Sequence, residues 1–399
     1  MKKAFFVAHR LPFPPNKGDK LRAYHILKTI CESFETYLFC HLDDARDLEE
    51  VKHLDLPLAG VYFRFLPAWR RKIRCLKALP SGSLTVAYFY EKELQRKYDA
   101  FFKEKRPSLV FCSCAPAAEY VFRGPSVKET KLLLDFMDVD SEKWQAYANR
   151  ISGPSRLIYA LEAQRLRSYE KRIVEFFQRV FLVSEEEARL FRQKVSESPK
   201  ISVLENGVDL FHFTPHYQSS LTKEGPVLVF TGAMDYWPNA EGVVWFVENC
   251  WPLIKKAFPK TVFYVVGKDP LPEVSTLAQK DTSIIVTGFV KDTRDYLALA
   301  DICIAPLQLA RGIQNKILEA AAMGKAIVAT PQAAEGISLL EEKEILIAKN
   351  PQVFAEKIVE LLRNPKKARL LGRKARLKME KNYSWEKKLA PLKEYLSRI

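Results

Sequence analysis

Short apolar runs alternate with amphipathic stretches along the whole chain. The runs predict strands at 4–8, 37–40, 61–65, 109–112, 132–136, 180–183, 201–204, 227–230, 262–266, 284–286, 302–305 and 326–329. Apolar residues at helical spacing lie between most of them, as at 155–178, 239–258 and 314–323. Near-continuous apolar strands separated by helices predict parallel sheets covered on both faces, which is an α/β fold.

A stretch rich in turn-forming residues interrupts this alternation at 206–225, just before a new apolar strand. It predicts an N-terminal domain over 1–210 and a C-terminal domain of similar build over 211–382. Beyond Tyr383, apolar residues recur at helical spacing. We expect this segment, 383–399, to form a helix that packs back on the N-terminal domain.

Composition narrows the class of protein. The chain has 399 residues, 48% of them hydrophobic, which is enough for two or three globular cores. Seven scattered cysteines without a CxxC pair indicate reduced thiols in a cytoplasmic compartment. No signal peptide or spanning helix is predicted, so we expect a protein that is cytoplasmic or peripheral at the inner membrane face. The net charge of +15 favours an anionic partner.

The segment 311–330, RGIQNKILEAAAMGKAIVAT, carries the clearest chemistry. A turn at Gly312 precedes a helix, and Arg311 and Lys316 place two cations near its start. Backbone amides at such a start, with a lysine beside them, suit a diphosphate. Glu319 lies on the same helix face as Lys316, where a carboxylate could bind ribose hydroxyls. The alternative is an ordinary surface pair of small energetic effect.

The first strand leads into a long loop, HRLPFPPNKGDKLRAYH, that opens a helix at Gly18. Such loops lie at the carboxyl end of a parallel strand, where open sheets bind ligands. Gly18 would let the backbone approach a phosphate or a sugar. Asp19 is either functional or a helix cap. His9 could face the ligand, although a packed histidine is the alternative.

Another strand runs into a cluster of carboxylates in LLLDFMDVDSEKW, residues 132–144. Asp135, Asp138 and Asp140 cannot all be core residues. A carboxylate at this place could accept a proton or a hydrogen bond from a substrate hydroxyl. The alternative is helix capping by Asp140 or Ser141.

Residues 61–80 hold six cations, no acid and Trp69 among aliphatic residues. That combination suits an anionic membrane surface, with a solvated face as the alternative. A second basic stretch, 366–381, has eight cations and one acid, and a solvated face is its simpler interpretation. Because no recognition module is present, we do not expect nucleic acid as a partner.

Four motifs in order resemble the glycosyltransferases of family 4, which have the GT-B fold, over nearly the whole chain. They are NGVD at 206–209, GFVKDTRDYLALADICIAPL at 288–307, NKILEAAAMGKAIVAT at 315–330 and YSW at 383–385. GAMDYWPN, ARGIQNK and DVDSEKW resemble the sugar transferases of bacterial exopolysaccharide systems, including those associated with exosortase.

The resemblance implies two Rossmann-like, doubly wound domains facing a cleft. It also implies a nucleotide diphosphate sugar on the C-terminal side and a lipid-linked or polysaccharide acceptor on the N-terminal side. Retention at the anomeric carbon, no obligatory metal and no cofactor belong to the same expectation. Asp138 stands where relatives place an acceptor-side catalytic group, often histidine, with Asp19 and Asp140 as further candidates. Arg311 stands where many relatives have a first glutamate, eight residues before Glu319.

Two other functions fit the same motifs. A nucleotide-sugar epimerase of this fold would consume the donor without an acceptor, so product analysis separates it from a transferase. A non-catalytic sugar-nucleotide sensor is the other alternative, against which the presence of both Lys316 and Glu319 argues.

Overall fold

The computed structural model describes residues 1–43, 47–65, 67–126 and 128–399. The chain forms two compact units, the first made of Met1–Glu205 with Leu389–Ile399 and the second of Asn206–Lys388. The chain therefore passes between the units at 205/206 and again at 388/389, whereas the sequence placed the divisions after 210 and 382.

The first unit is built on a seven-stranded sheet in which all neighbouring strands are parallel. Its strands are β1 Lys3–Ala8, β2 Glu35–Leu42, β3 Leu58–Phe65, β4 Leu109–Ser113, β5 Lys131–Met137, β6 Arg179–Leu182 and β7 Ile201–Val203. The order β3-β2-β1-β4-β5-β6-β7 runs outward in both directions from β1 and β4, so this sheet is doubly wound.

Helices cover both faces of this sheet. They are α1 Gly18–Cys31, α2 Asp47–Lys52, α3 Ala68–Ala78, α4 Leu84–Phe89, α5 Lys92–Lys105, α6 Ala118–Phe122, α7 Asp140–Arg150, α8 Pro154–Phe176 and α9 Glu185–Lys194. The middle strands are fully buried: β1 and β4 expose almost none of their apolar residues. This burial explains their continuous apolar sequence, and it confirms the predicted α/β class.

The second unit repeats this plan with six parallel strands. They are β8 Val227–Thr231, β9 Val262–Val266, β10 Ile284–Gly288, β11 Ile302–Ala305, β12 Ala326–Ala329 and β13 Leu346–Ile347, in the order β10-β9-β8-β11-β12-β13. Its helices are α10 Trp237–Asn249, α11 Trp251–Ala257, α12 Pro272–Ser275, α13 Leu277–Lys280, α14 Arg294–Leu299, α15 Asn315–Ala322, α16 Pro331–Ala334, α17 Pro351–Arg363 and α18 Pro365–Asn382.

Two details of the second unit differ from the sequence-based expectation. The single helix predicted over 239–258 is two helices, α10 and α11, which meet at Cys250. Pro252 lies in the first turn of α11, and its ring and missing N–H prevent continuation of the preceding helix. The two-residue strand β13 was not predicted, because so short a run carries no pattern.

The last helix, α19 Trp385–Leu396, begins in the second unit and ends in the first. Within the first unit, Lys393 Nζ lies 2.7 Å from Glu32 Oε2, and the Arg179 guanidinium lies 4.6 Å from the Tyr395 ring centroid. Leu392 is fully buried there. Across the described ranges, no helix is both long enough and apolar enough to cross a bilayer.

The NGVD turn and the start of α19 contact each other within the second unit. Val208 N donates to Tyr383 O at 2.7 Å, and Val208 forms a β-bridge with Ser384. A Cβ on Gly207 would lie only 2.6 Å from the Trp385 backbone. Glycine is therefore required at 207 by close backbone approach, and the two motifs form one local structure.

Candidate functional site

The helix that carries Lys316 and Glu319 begins without a side-chain cap. Its N-cap residue is Gln314, whose side chain accepts no hydrogen bond from the first turn. Instead Gln314 Nε2 donates to Arg311 O at 3.0 Å, which closes the preceding turn. Gly312 has a φ of 62°, a left-handed conformation that favours glycine. The amides of the first turn of α15 are thus left for a partner other than a side-chain cap.

Lys316 is held against the carboxyl end of β8. Its Nζ donates to Asn239 Oδ1 at 2.7 Å and lies 4.5 Å from the Phe230 ring centroid. Gly232, just beyond β8, makes room for this contact. A Cβ there would lie 2.7 Å from Asn239 Nδ2 and 3.3 Å from Lys316 Nζ. The ammonium is therefore fixed in position by neutral groups.

Lys316 and Glu319 have strongly shifted pKa values. Burial lowers the pKa of Lys316 to about 7, and the nearby charge of Glu319 opposes part of that shift. Burial likewise raises the pKa of Glu319 to about 7, opposed by Lys316. Among the described residues neither side chain has an ion-pair partner within 4 Å. The ionisation of a part-buried cation and carboxylate held apart in this way is sensitive to a charged ligand.

The sequence did not single out the residues that hold Lys316. Asn239 and Phe230 lie 77 and 86 positions before it, so helix spacing within α15 could not reveal them. Gly232 and Asn239 are the first and last residues of GAMDYWPN, which was noted only as a family feature. That motif was the part of the sequence from which these residues could have been predicted.

In the first unit, Gly18 is the first residue of α1, after the N-cap residue Lys17. Asp19 is the second residue of α1 and not its N-cap residue. Its Oδ2 accepts a hydrogen bond from His9 Nε2 at 3.2 Å and lies 3.1 Å from Arg10 Nη1. Burial alone would raise the pKa of Asp19, but the hydrogen bond from His9 and the charge of Arg10 hold it well below its usual range. This carboxylate is already paired.

The same charge network includes part of the basic stretch 61–80. Arg10 Nε lies 3.1 Å from Asp43 Oδ2, and Arg71 Nη1 donates to Asp43 Oδ1 at 2.6 Å. Arg71 is only 3% exposed, and Arg74 binds Tyr90 O and Glu91. The expectation that every cation of this stretch faces a membrane is therefore wrong for Arg71 and Arg74.

One face of α3 in that stretch does face outward. On α3, Trp69, Ile73 and Leu76 are exposed at helical spacing. Three cations on the same helix are exposed as well: Arg70, Lys72 and Lys77. Leu66, which the sequence grouped with this surface, lies outside the described residues.

The carboxylates after β5 divide into two kinds. Asp135 is fully buried and pairs with Arg22 through two bonds of 2.7 Å, so it is a core residue. Asp138 and Asp140 are partly exposed, and the described residues provide no hydrogen-bond or ion-pair partner for either carboxylate. Burial raises the pKa of both, against the charge of Lys143. These two carboxylates remain available to a substrate.

Two distant glutamates support the turn that carries Asp138 and Asp140. Glu187 Oε2 accepts from Val139 N at 2.9 Å, and Glu170 accepts from Ser141 N at 3.0 Å and from Ser141 Oγ at 2.5 Å. The alternative interpretation, a cap formed by Asp140 or Ser141, does not hold, because the N-cap residue of α7 is Val139 and the amide of Ser141 is bound by Glu170 of α8. Burial raises the pKa of Glu170 to about 8.

Residues 225–364 match the family Glycosyl transferases group 1. The uncharacterized glycosyltransferase MJ1069 of Methanocaldococcus jannaschii is 27% identical over 180 residues, which are 43% of this chain and 45% of that protein. The matched segment thus spans less than half the length of this curated relative.

Two solved structures are similar over essentially their whole length. Sucrose-phosphate synthase from Thermosynechococcus elongatus has a TM-score of 0.75 at 16% identity, covering 100% of this chain and 99% of that one. HepE of Anabaena, solved with UDP and glucose, has a TM-score of 0.69 at 14% identity and covers 100% of both chains. At such identities the likeness establishes the fold, which is GT-B. The match to Glycosyl transferases group 1, over residues 225–364, lies within the second unit.

Proposed function

We propose that this protein is a family 4 glycosyltransferase that moves a sugar from a nucleotide diphosphate sugar to a lipid-linked or polysaccharide acceptor in bacterial exopolysaccharide synthesis. One observation supports it most: the part-buried ammonium of Lys316 stands beside an uncapped helix start, with Glu319 one turn further on. HepE was solved with UDP-glucose, which favours a UDP-linked sugar as the donor here.

In this proposal the second unit binds the donor. Lys316 neutralises the diphosphate, and the amides of Gly312 and Ile313 donate to its oxygens. Glu319 accepts hydrogen bonds from the ribose hydroxyls. Arg311 replaces the carboxylate that many relatives direct at the transferred sugar. It adds a phosphate contact or favours an acidic sugar. The sequence also names Gly18, the first residue of α1, as a donor-binding candidate.

The acceptor hydroxyl is oriented by Asp138, with Asp140 and Asp19 as the next candidates. The bond between the anomeric carbon and the leaving phosphate oxygen breaks, and the acceptor oxygen bonds to the same face of that carbon. The departing diphosphate takes the hydroxyl proton, so configuration is retained and neither a metal nor a cofactor is required. Asp138 contributes by holding the hydroxyl through a hydrogen bond.

The exposed face of α3 brings the enzyme to an anionic membrane surface. Trp69 is 59% exposed, and with Ile73 and Leu76 it would insert while Arg70, Lys72 and Lys77 contact lipid headgroups. Each such cation contributes about 1 kcal/mol, and salt screens that contribution. We expect flotation with anionic vesicles and weak binding to neutral ones.

A triple variant tests this location. Arg70→Ser, Lys72→Ser and Lys77→Ser together should release the protein from anionic vesicles while leaving the buried Arg71 and Arg74 in place. The matched control removes three exposed cations of α18: Arg369, Arg373 and Lys374. If both triples lose binding equally, α3 is not the membrane surface and only net charge matters.

The transferase proposal is tested with donors and products. Calorimetry with UDP-, GDP- and TDP-sugars should identify one preferred nucleotide. Nucleotide release from that donor should then depend on added acceptor. Conversion of the donor to an epimer without acceptor would contradict the proposal, and binding without any turnover on lipid-linked or saccharide acceptors would leave a sensor in its place.

A further inference from the structure

A wide groove lies in the first unit, and its lining includes neither Asp138 nor Asp140. It has a volume of about 1010 Å³ and runs between the start of α5 and the middle of α8, with α3, α4 and α6 at its sides. This volume is at the upper end of small-molecule sites, about 300–1,000 Å³, so several sugar rings would fit. Ser83, Ser168 and Tyr169 add hydroxyl groups to its lining.

Cations outnumber carboxylates in this groove. Its carboxylates are Glu91, Glu93 and Glu119, and its cations are Arg74, Lys92, Arg96, Arg123, Arg165 and Arg172.

The carboxylates are already engaged. Glu119 accepts from Arg123 at 2.6 Å and from Tyr169 at 2.9 Å. Glu91 caps α5 by accepting two amides at 2.8 Å, and Glu93 pairs with Arg64. None of the three is left to neutralise the remaining cations.

Four of the six cations have no carboxylate partner within 4 Å among the residues that the structure describes. Arg165 donates to two carbonyls, Gly82 O at 2.8 Å and Pro80 O at 3.1 Å, which fix its position but leave its charge. Arg172 packs 4.0 Å from the Phe122 ring centroid. Lys92 and Arg96 extend from the first turns of α5. A concave surface lined with one sign of excess charge attracts the opposite sign.

We infer that this groove binds an acidic oligosaccharide, a chain of sugars carrying carboxylate or phosphate groups. Guanidinium groups held by carbonyls and rings suit such anions, and hydroxyl and tyrosine side chains suit sugar hydroxyls and rings. A bilayer fits less well, because the surface is concave and most of the residues that line it are polar or charged. The choice of a saccharide rests on the proposed function, whereas the excess charge does not.

Equilibrium binding of two hexasaccharides tests the inference. Oligogalacturonate of six residues is the acidic probe, and maltohexaose is the neutral one. The groove variant is Arg96→Gln with Arg172→Gln, in which glutamine keeps part of each aliphatic stem. The matched control is Lys97→Gln with Lys171→Gln, which removes two exposed charges one residue away, outside the groove lining. Thermal unfolding checks that both variants fold.

We expect the acidic probe to bind at least tenfold more tightly than the neutral one. Its affinity should fall at least tenfold in the groove variant and less than twofold in the control. Equal losses in both variants, or no binding to the wild type, would overturn the inference. A third outcome would also overturn it: the acidic probe does not bind, and the groove variant, but not the control, loses binding to anionic vesicles. UDP binding measured on the same samples separates this result from the proposed function, since UDP can bind whether or not the groove does.

Discussion

Charged groups lie near the carboxyl ends of the strands in both sheets of this protein, but they are paired in the first unit and held apart in the second. In the first unit, His9, Arg10 and Asp19 form a closed network in which each charge has a partner near 3 Å. In the second, Lys316 donates only to a neutral amide, and Glu319 lies beyond 4 Å from any cation in the described chain. The charges of the first arrangement therefore neutralise one another at close range, whereas those of the second do not.

The difference also appears in the pKa values of the two sets of groups. In the first unit, the hydrogen bond from His9 and the charge of Arg10 lower the pKa of Asp19 and so favour its charged form. Groups held apart under burial move toward neutrality, as Lys316 and Glu319 do. Such displaced pKa values cost folding free energy, and they are typical of functional sites.

The largest expected effect is on the stability of the first unit. Asp135→Asn leaves the buried Arg22 guanidinium without its carboxylate, which should lower the free energy of unfolding by about 3–5 kcal/mol. Urea unfolding measures it. Asp55→Asn, at an exposed aspartate of the same unit, should change stability by less than about 0.5 kcal/mol. A small loss at Asp135 would mean that the pair is not structural.

Asp138→Asn should lower turnover by about a hundredfold if the carboxylate orients the acceptor hydroxyl, because the charged acceptor of its hydrogen bond is lost. Donor affinity should stay near that of the wild type, since the change lies in the first unit. Steady-state kinetics with calorimetry for the donor measures both. Asp140→Asn is the matched comparison, and unchanged turnover in Asp138→Asn would transfer the role to Asp140 or Asp19.

Lys316→Ala should weaken binding of the donor nucleotide by about 1.5–3 kcal/mol, because a charge-assisted contact to the diphosphate is lost. Glu319→Ala should also weaken it, with the fold intact. Calorimetry measures both, and Lys291→Ala removes an exposed lysine of the same unit as a control. Wild-type affinity in both variants would show that the donor binds elsewhere.

The smallest effect is the pH dependence. Since burial lowers the pKa of Lys316 to about 7, nucleotide affinity should fall by up to about tenfold per pH unit above 7, and Lys316→Ala should remove that slope. The free energy of unfolding should change with pH in opposite directions below and above pH 7. The raised pKa of Glu319 makes stability fall as the pH rises from 4.5 to 7, and the lowered pKa of Lys316 makes it rise from 7 to 10.5. A flat profile in calorimetry and urea unfolding would contradict this ionisation.

Most of the fold could be predicted from the sequence because buried parallel strands are continuous apolar runs. β9, β11 and β12 coincide with the predicted runs, and the others differ at their ends. The α10–α11 break was missed because the apolar spacing continues across Pro252.

The candidate sites were harder to predict, because pairing across long sequence separations leaves no local pattern. Spacing alone put Lys316 and Glu319 on one helix face, but nothing near them pointed to Asn239. Likewise, the charge run at 61–80 could not show that Arg71 pairs with Asp43. The sequence around Asp138 could not show that Glu170 supports the turn before α7.

The contact between Val208 and Ser384 brings the two ends of the second unit together. Residues 206–388 are, in topological terms, an insertion into the first unit, whose chain resumes at Leu389. The two ends of that insertion lie side by side, joined by the bond from Val208 N to Tyr383 O. A chimera that takes 206–388 from a relative with another nucleotide preference therefore keeps both ends of the host chain. A single crossover at 205 would also replace the last turns of α19, which belong to the first unit.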